Sequence, residues 1–338
     1  MNYIKIAFLP LLFIILESTL SFAQFLPENS TDWWMETDDG VMHYVIEVGN
    51  DPDPENTIVV LHGGYGAEHS YLLDFLIPLS DDYRFVLYDQ RGSLRTEAPD
   101  STIRFNKFVS DLDHLRHQLG LEKLHLIAHS NGSNIALDYL GTYPLHVKGL
   151  ILLSPPLSFL HSDAFSESTN SSLADLIITH RSEVESLEAE INSEIESKLQ
   201  ELNLHDTDKL TDRERSVRNR IEYAAWHTAN ADNWPYVRNA FYNPDVFNHL
   251  TNNVDSETWR ARTLRKSAAF VQAEVPVRVI IGDSDYVDPK AIIWKSIIHQ
   301  TEDGELTVLE HAGHNAWLDK PAEFKKALQV YLNEITGF

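Results

Sequence analysis

A serine flanked by small residues is the most chemically informative feature of this 338-residue sequence. Ser130 stands two residues after Ala128 and two before Gly132, with an apolar run before it and a helical pattern after it. A sharp strand-to-helix turn crowds the positions on either side of the serine, lifts its hydroxyl clear of the sheet and aims it at the helix N-terminus. The pattern predicts a nucleophile; the alternative is a serine that only caps the helix.

A serine hydroxyl is a weak nucleophile until a base takes its proton and an acid orients that base. Two later apolar runs end in suitable residues, in the chain order serine, aspartate, histidine. Asp285 lies three residues past Gly282, and His314 follows Gly313 in a loop after the last apolar run. We therefore predict Asp285 as the acid and His314 as the base. The alternatives are Asp283 and Asp288 for the acid and His311 for the base.

A glycine-rich segment, residues 61–66, follows the apolar run 58–61 and reads Leu-His-Gly-Gly-Tyr-Gly. Glycines let backbone N–H groups come close to an oxygen that gains negative charge during a reaction. We predict the N–H groups of Gly64 and Asn131 as the two donors of an oxyanion hole. A phosphate-binding turn is the alternative, but the segment lacks the Gly-Lys-Ser/Thr of a P-loop.

Short apolar runs and helical patterns alternate along much of the chain, as expected of buried parallel strands joined by helices. The predicted strands are 58–61, 85–88, 124–128, 150–153, 277–281 and 306–309. Before them, a turn at Asp39-Gly40 predicts a hairpin between 33–37 and 41–47. The expected fold is α/β, a doubly wound and mostly parallel sheet.

The alternation stops between residues 157 and 273, where helical periodicity dominates. We expect residues 24–156 and 274–338 to form the core domain and 157–273 to form an inserted helical cap. Within it, residues 161–210 hold twelve acidic and three basic residues, with an apolar stripe from Val184 to Leu202. A coiled-coil partner helix is the alternative interpretation of that stripe.

The N-terminal residues 1–23 have the layout of a secretory signal peptide. Lys5 precedes eleven apolar residues, and the small residues Ser21 and Ala23 suit cleavage after Ala23. A retained membrane anchor is the alternative, but Glu17 ends the apolar run short of the roughly 20 residues that span a bilayer. The expected location is therefore outside the cytoplasm, in a periplasm or the medium.

The composition narrows the range of partners. The formal net charge of −24 opposes binding to nucleic acid or to anionic lipid. The absence of cysteine excludes disulfides, thiolate metal sites and a cysteine nucleophile. The predicted partner is a small-molecule or peptide substrate, with no metal or organic cofactor required.

Several segments together resemble the α/β-hydrolase superfamily, and within it the proline iminopeptidase branch. They are 62–66 (His-Gly-Gly-Tyr-Gly), 88–93 (Tyr-Asp-Gln-Arg-Gly-Ser), 111–120, the Ser130 turn, 282–289 and 313–314. The resemblance implies a Ser-His-Asp hydrolase that works through an acyl-enzyme. It also implies release of an N-terminal residue, often proline, from a peptide.

Three residues depart from the family pattern: Tyr65 stands where the family has Pro, Ala128 replaces Gly, and Asn131 replaces Trp. The family also holds the substrate's free amine with paired glutamates in the cap. The candidates here are Glu222 and Asp232, beside Trp226, and a solvated carboxylate is the alternative for each. An acidic cap would favour cationic substrates such as free amines.

The resemblance favours the aminopeptidase as the function. An esterase or lactonase of the same fold is the alternative, since it needs only an apolar cap pocket. A catalytically silent binding protein on the same fold is a further alternative.

Overall fold

The central feature of the computed structural model is an eight-stranded sheet in the order β1-β2-β4-β3-β5-β6-β7-β8. The structure describes residues 26–49, 53, 56–165, 167–237, 243–252 and 254–337. The strands are β1 (Ser30–Glu36), β2 (Met42–Val48), β3 (Thr57–Leu61), β4 (Arg84–Tyr88), β5 (Leu124–His129), β6 (Val147–Leu153), β7 (Val277–Gly282) and β8 (Gly304–Leu309). Strands β3 to β8 pair in parallel, while β1 and β2 are antiparallel. The predicted fold class is confirmed.

The continuous apolar runs of the central strands arise because both faces of the sheet are covered. Along β3, Val59 and Leu61 belong to one core cluster, and Ile58 and Val60 belong to the cluster on the other face. All four side chains are 0% exposed. Alternation of side chains across the sheet therefore divides each run between two cores.

Ten helices join or cover these strands in the described part of the chain. They are α1 (Leu73–Leu76), α2 (Phe105–Gln118), α3 (Gly132–Thr142), α4 (Glu167–Glu201), α5 (Asp212–His227), α6 (Pro244–Asn252), α7 (Ser256–Val271), α8 (Ile292–Ile297), α9 (Ala316–Asp319) and α10 (Pro321–Thr336). The predicted hairpin is also present, with Glu36 opposite Met42 across the turn.

The described residues of segment 157–273 contain helices and no strand. On α4, Ile191, Ile195 and Leu199 are buried in a separate cluster that includes Trp234, while the acidic side chains that the structure describes on this helix are exposed or partly exposed. This cluster explains the apolar stripe by packing within the chain. Helix α7 packs on α3, the helix that follows Ser130.

The predicted signal peptide lies outside the described residues. Among the residues that are described, none of the helices is both long enough and apolar enough to cross a bilayer.

A buried ion pair ties the end of β4 to α2. Arg91 is 1% exposed and donates from Nε and Nη2 to the two carboxylate oxygens of Asp111, at 2.5 and 2.6 Å. Its Nη2 also reaches Asp39 of the hairpin turn, at 3.0 Å. The planar guanidinium suits this bidentate geometry. Segments 88–93 and 111–120, both part of the family resemblance, thus meet inside the protein.

We expect Asp111→Ala to lower the free energy of unfolding by about 3–5 kcal/mol, because it leaves a buried guanidinium without its main partner. Urea unfolding followed by circular dichroism measures the loss. The control is Glu201→Ala, which removes an exposed pair with Lys198 (2.9 Å) and should cost less than about 1 kcal/mol. Equal losses in the two variants would contradict the assignment.

Candidate active site

Ser130 lies at the apex of a tight turn between β5 and α3. Its φ of +49° is in the left-handed region, which is strained for a residue with a side chain. The turn is held by the Ser130 N–H, which donates to Leu153 O at 2.9 Å, and by Ser133 N–H, which donates to Ser130 O at 2.9 Å. Strain at this serine is typical of a nucleophile and exceeds what a simple helix cap requires.

The need for Gly132 follows from the neighbouring strand. A Cβ at this position would lie 2.7 Å from the carbonyl oxygen of Leu61 and 2.8 Å from that of His62. No side chain fits between the start of α3 and the end of β3. The small residue expected two positions after the serine therefore has a direct steric cause.

The structure brings Asp285 and His314 together after β7 and β8. His314 Nδ1 lies 2.9 Å from Asp285 Oδ1, and the two side chains are 2% and 0% exposed. An ionised Asp285 can only accept, so Nδ1 carries the proton and Nε2 keeps its lone pair. Asp285 is itself oriented by the N–H of Val287, which donates to Oδ1 at 3.1 Å.

The alternatives for the base and acid have other positions. His311 is exposed, and Asp283 accepts a hydrogen bond from Ser284. Asp288 is buried, and its carboxylate accepts from the N–H groups of Ile293 and Trp294 at the start of α8. The geometry therefore selects Asp285 and His314 from the residues that the sequence offered.

A cavity of about 370 Å³ opens over Ser130. Its lining comprises Gly63, Gly64, Tyr65, Ala67, Tyr71, His129, Ser130, Asn131, Tyr223, His227, Phe247, Tyr286, His314 and Asn315. The candidate nucleophile, base and both candidate oxyanion donors thus share one cavity. A larger cavity of about 550 Å³, beside Phe75 and Trp317, holds none of these residues.

The glycine-rich segment approaches the serine very closely. A Cβ at Gly63 would lie 2.8 Å from Ser130 Cβ. The N–H of Gly63 donates to the hydroxyl of Tyr71 at 2.7 Å, so it is already engaged. The next N–H, that of Gly64, stays the candidate for the oxyanion role. The N–H of Asn131, at the N-cap of α3, stays the second candidate, because the first N–H groups of a helix have no partner within it.

A hydrogen-bonded chain behind the cavity links this segment to the candidate base. The Tyr71 hydroxyl, which accepts from Gly63, lies 2.7 Å from His129 Nδ1. His129 Nε2 lies 3.4 Å from the carbonyl of His314, which can only accept, so Nε2 carries the ring proton and Nδ1 accepts from the Tyr71 hydroxyl. The His314 carbonyl also accepts from the Ser154 hydroxyl at 2.9 Å. The backbone of His314 is thereby held in place.

Desolvation keeps three side chains of the cavity wall uncharged near pH 7. Desolvation, and next the nearby His314 side chain, hold the pKa of His129 well below its usual value. Desolvation is also the main cause that lowers the pKa of His227 to about 4 and raises that of Tyr223 to about 12. These histidines are therefore neutral and the tyrosine is protonated under ordinary conditions.

The predicted amine-binding residues do not line the described cavity. Glu222 forms an ion pair with Arg218 at 2.8 Å, and Asp232 is exposed. Trp226 packs edge-on against Tyr286, with ring centroids 5.8 Å apart, and reaches the cavity only through that tyrosine. The assignment of Glu222 and Asp232 as amine ligands therefore lacks support in the geometry.

Three residues of segment 157–273 line the cavity: Phe247 of α6, and two residues of α5 that are sequence neighbours of the predicted ones. Tyr223 and His227 are stacked, with ring centroids 4.0 Å apart, and the His227 ring lies 5.7 Å from that of His314. Tyr223 directly follows Glu222, and His227 directly follows Trp226. Each therefore lies about 100° further around the helix than its predicted neighbour. Glu222 and Trp226 thus lie on a helix that lines the cavity, but on a face of it that packing turns away from the cavity.

The sequence analysis also did not identify Tyr71 and His129 as residues of the site. The available signals were the position of His129 immediately before Ser130 and of Tyr71 soon after the glycine-rich segment.

One group of described residues, Glu68, His69 and Asp89, has the spacing that a metal ion requires. Its donor atoms already have partners within the protein. His69 Nδ1 lies 2.6 Å from Asp89 Oδ1, Arg95 lies 3.3 Å from the other Asp89 oxygen, and Glu68 accepts from Ser70. An internal ion-pair network explains this cluster, and it lies outside the cavity lining.

The fold and this cavity agree with a comparison to known families. Residues 56–321 match the model of the alpha/beta hydrolase fold, and the chain belongs to that family. The predicted resemblance to the superfamily is confirmed.

Similarity to proline iminopeptidases is confirmed over part of the chain. A proline iminopeptidase from Heyndrickxia coagulans is 40% identical over 103 residues, which are 30% of this chain and 35% of that protein. The matched stretch thus spans about a third of that relative's length.

Solved structures show the same fold at low sequence identity. A proline iminopeptidase-related protein from Thermus thermophilus is 22% identical with a TM-score of 0.61, covering 91% of this chain and 99% of its own. An esterase from Exiguobacterium antarcticum is 20% identical with a TM-score of 0.55, covering 90% of this chain and all of its own.

We expect Tyr71→Phe to lower the free energy of unfolding by about 1–3 kcal/mol, because the buried N–H of Gly63 loses its acceptor. Thermal or urea unfolding measures this change. Tyr236→Phe is the control, since the Tyr236 side chain is 69% exposed. A Tyr71→Phe variant as stable as the control would show that this hydroxyl does not hold the segment.

Proposed function

We propose that the protein is a serine hydrolase that forms an acyl-enzyme on Ser130. His314 Nε2 takes the proton of the serine hydroxyl while the serine oxygen attacks a carbonyl carbon. Asp285 holds the imidazole through Nδ1–H and stabilises the imidazolium that forms. The N–H groups of Gly64 and Asn131 bind the oxyanion. His314 returns the proton to the leaving group, and water then releases the acyl group by the reverse sequence.

The observation that carries this proposal is the shared cavity of Ser130 and His314, with Asp285 behind the imidazole. The strained φ of Ser130 and the 2.9 Å contact between His314 and Asp285 both support it. A binding protein would have no need for either feature. The membership of this chain in the alpha/beta hydrolase family agrees with hydrolysis through an acyl-enzyme.

Among substrates, the cavity favours a neutral acyl ester. Its described lining contains glycine, alanine, aromatic residues, two asparagines, the serine and three histidines, with neither Asp, Glu, Lys nor Arg. Binding of a free ammonium in such a partly buried site without a carboxylate is unfavourable. A volume of about 370 Å³ suits a small or medium acyl group.

An aminopeptidase is the second candidate, and the sequence similarity is the observation that favours it. The matched proline iminopeptidase stretch is 40% identical over 103 residues. On that proposal, the acidic exterior would concentrate cationic substrates near the entrance.

We expect Ser130→Ala to abolish both hydrolysis of short aryl esters and covalent labelling by a fluorophosphonate. Both processes need the serine oxygen as nucleophile. Intact-mass spectrometry locates the label, and Ser133→Ala on the same turn is the control for non-specific labelling. Unchanged ester hydrolysis in Ser130→Ala would overturn the proposed mechanism, and a wild-type protein that neither labels nor turns over would favour the binding protein.

A matched substrate pair separates the two substrate classes. N-acetylation of proline naphthylamide removes the ammonium charge and adds one small acetyl group, while the scissile amide and the leaving group stay the same. A neutral cavity predicts no preference for the free amine and faster turnover of naphthyl acetate. A dedicated ammonium site predicts a preference of more than about 10² for the free amine, and that result would establish the aminopeptidase. Glu222→Gln and Asp232→Asn should leave all three rates unchanged if neither carboxylate binds substrate.

A further inference from the structure

A buried lysine lies behind the turn that carries Ser130. Lys266 of α7 is 1% exposed, and its Nζ donates to Asn134 Oδ1 of α3 at 2.6 Å. No carboxylate of the described residues lies within ion-pair distance of this ammonium. The nearest acidic group on α3, Asp138, is already paired with Arg262 at 2.5 Å and with Arg265 at 3.1 Å.

Burial of an ammonium without a carboxylate partner opposes folding. Desolvation is the main cause that lowers the pKa of Lys266 to about 7, with a further contribution from Arg262 and opposition from Asp138. A methionine or leucine would fill the same space without this cost. The lysine therefore requires an explanation other than packing.

The direction of the hydrogen bonds shows where the lysine acts. An ammonium only donates, so Lys266 requires the oxygen of the Asn134 amide and turns its nitrogen the other way. Asn134 Nδ2 then donates to Asn131 Oδ1 at 3.3 Å and to the Ser158 hydroxyl at 3.0 Å. Two hydrogen bonds thus connect the ammonium to Asn131, which follows Ser130 and contributes a proposed oxyanion donor.

The preceding turn of α7 reaches the other side of the same site. Arg262, four residues before Lys266, donates to the hydroxyl of Tyr65 at 3.4 Å. Tyr65 directly follows Gly64. Tyr65 and Asn131 both depart from the family pattern, which has Pro and Trp at these positions. Neither Pro nor Trp has a side-chain oxygen that could accept such a hydrogen bond.

We propose that Lys266 is a positioning residue for the oxyanion hole, and that through Asn134 it holds Asn131 in place and, in its protonated form, sets a positive charge behind the developing oxyanion. This inference rests on the proposed function. On this inference α7, a helix of segment 157–273, both packs on α3 and positions the oxyanion hole.

Asn134→Asp is the decisive variant. It keeps an oxygen facing Lys266 and adds a charge partner for it, so the thermal midpoint should stay equal or rise. It also replaces the donor to Asn131 with an oxygen, so the hydrogen bond to Asn131 Oδ1 is lost. We expect kcat for a short aryl ester to fall about 10- to 100-fold with KM nearly unchanged, because only transition-state binding is lost.

Lys266→Met provides a second test, because it keeps the aliphatic stem and removes the charge. We expect a fall in kcat of similar size, again with KM nearly unchanged. Arg260→Met on the same helix is the control, since the Arg260 side chain is 70% exposed and pairs with Asp163. Its kcat should stay within about twofold of wild type, as for ordinary surface substitutions.

Wild-type kcat in Asn134→Asp would overturn the inference and make Lys266 a structural residue only, whatever the stability of Lys266→Met. A rise in KM with unchanged kcat in both Asn134→Asp and Lys266→Met would overturn it too, since this pattern indicates that only ground-state binding is lost. Failure of the proposed function gives a different result, because wild-type Ser130 would then not react with a fluorophosphonate.

Discussion

The geometry of the site depends on one crowded junction, where the ends of β3 and β5 meet the start of α3. The carbonyl oxygens of Leu61 and His62 leave no room for a side chain at Gly132, and Ser130 Cβ leaves none at Gly63. The chain can pass this point only through a tight turn that places Ser130 at φ +49°. The same crowding sets the glycine-rich segment against the serine, so the proposed nucleophile and oxyanion donors are positioned by a single steric constraint.

Charge is arranged behind the cavity and not on its wall. Asp285 lies behind His314, and Lys266 lies behind Asn131, each separated from the reacting face by one or two hydrogen bonds. The described lining itself has no acidic side chain and no Lys or Arg. This arrangement suits a reaction in which charge appears only at the transition state, because fixed groups near a site of low dielectric act strongly on it. The net charge of −24 thus has no counterpart among the residues that line this cavity.

Sequence reasoning predicted the sheet correctly, because short apolar runs report directly on buried strands. It also named Asp285 and His314 as partners, and the structure has these two side chains in contact, since parallel strands end at one edge. Segment 157–273 was harder to interpret. Glu222 and Trp226 were chosen by residue type, whereas Tyr223 and His227, one position further along, face the cavity. Helical spacing indicates which residues share a face, but the rotation of α5 is set by its packing in the cluster around Ile195 and Trp234.

The amino-acid sequence by itself determined the fold class, the turn at Ser130 and the order of the three proposed catalytic residues. These features depend on local patterns, namely apolar runs, small residues at a crowded turn and polar residues at strand ends. Only the tertiary structure decided which atoms meet: the 2.9 Å contact of His314 Nδ1 with Asp285 Oδ1, the Tyr71–His129 chain and the link from Lys266 to Asn131. These contacts join residues that are up to 185 positions apart, and their geometry is set by how the helices pack on the sheet, which no local pattern specifies.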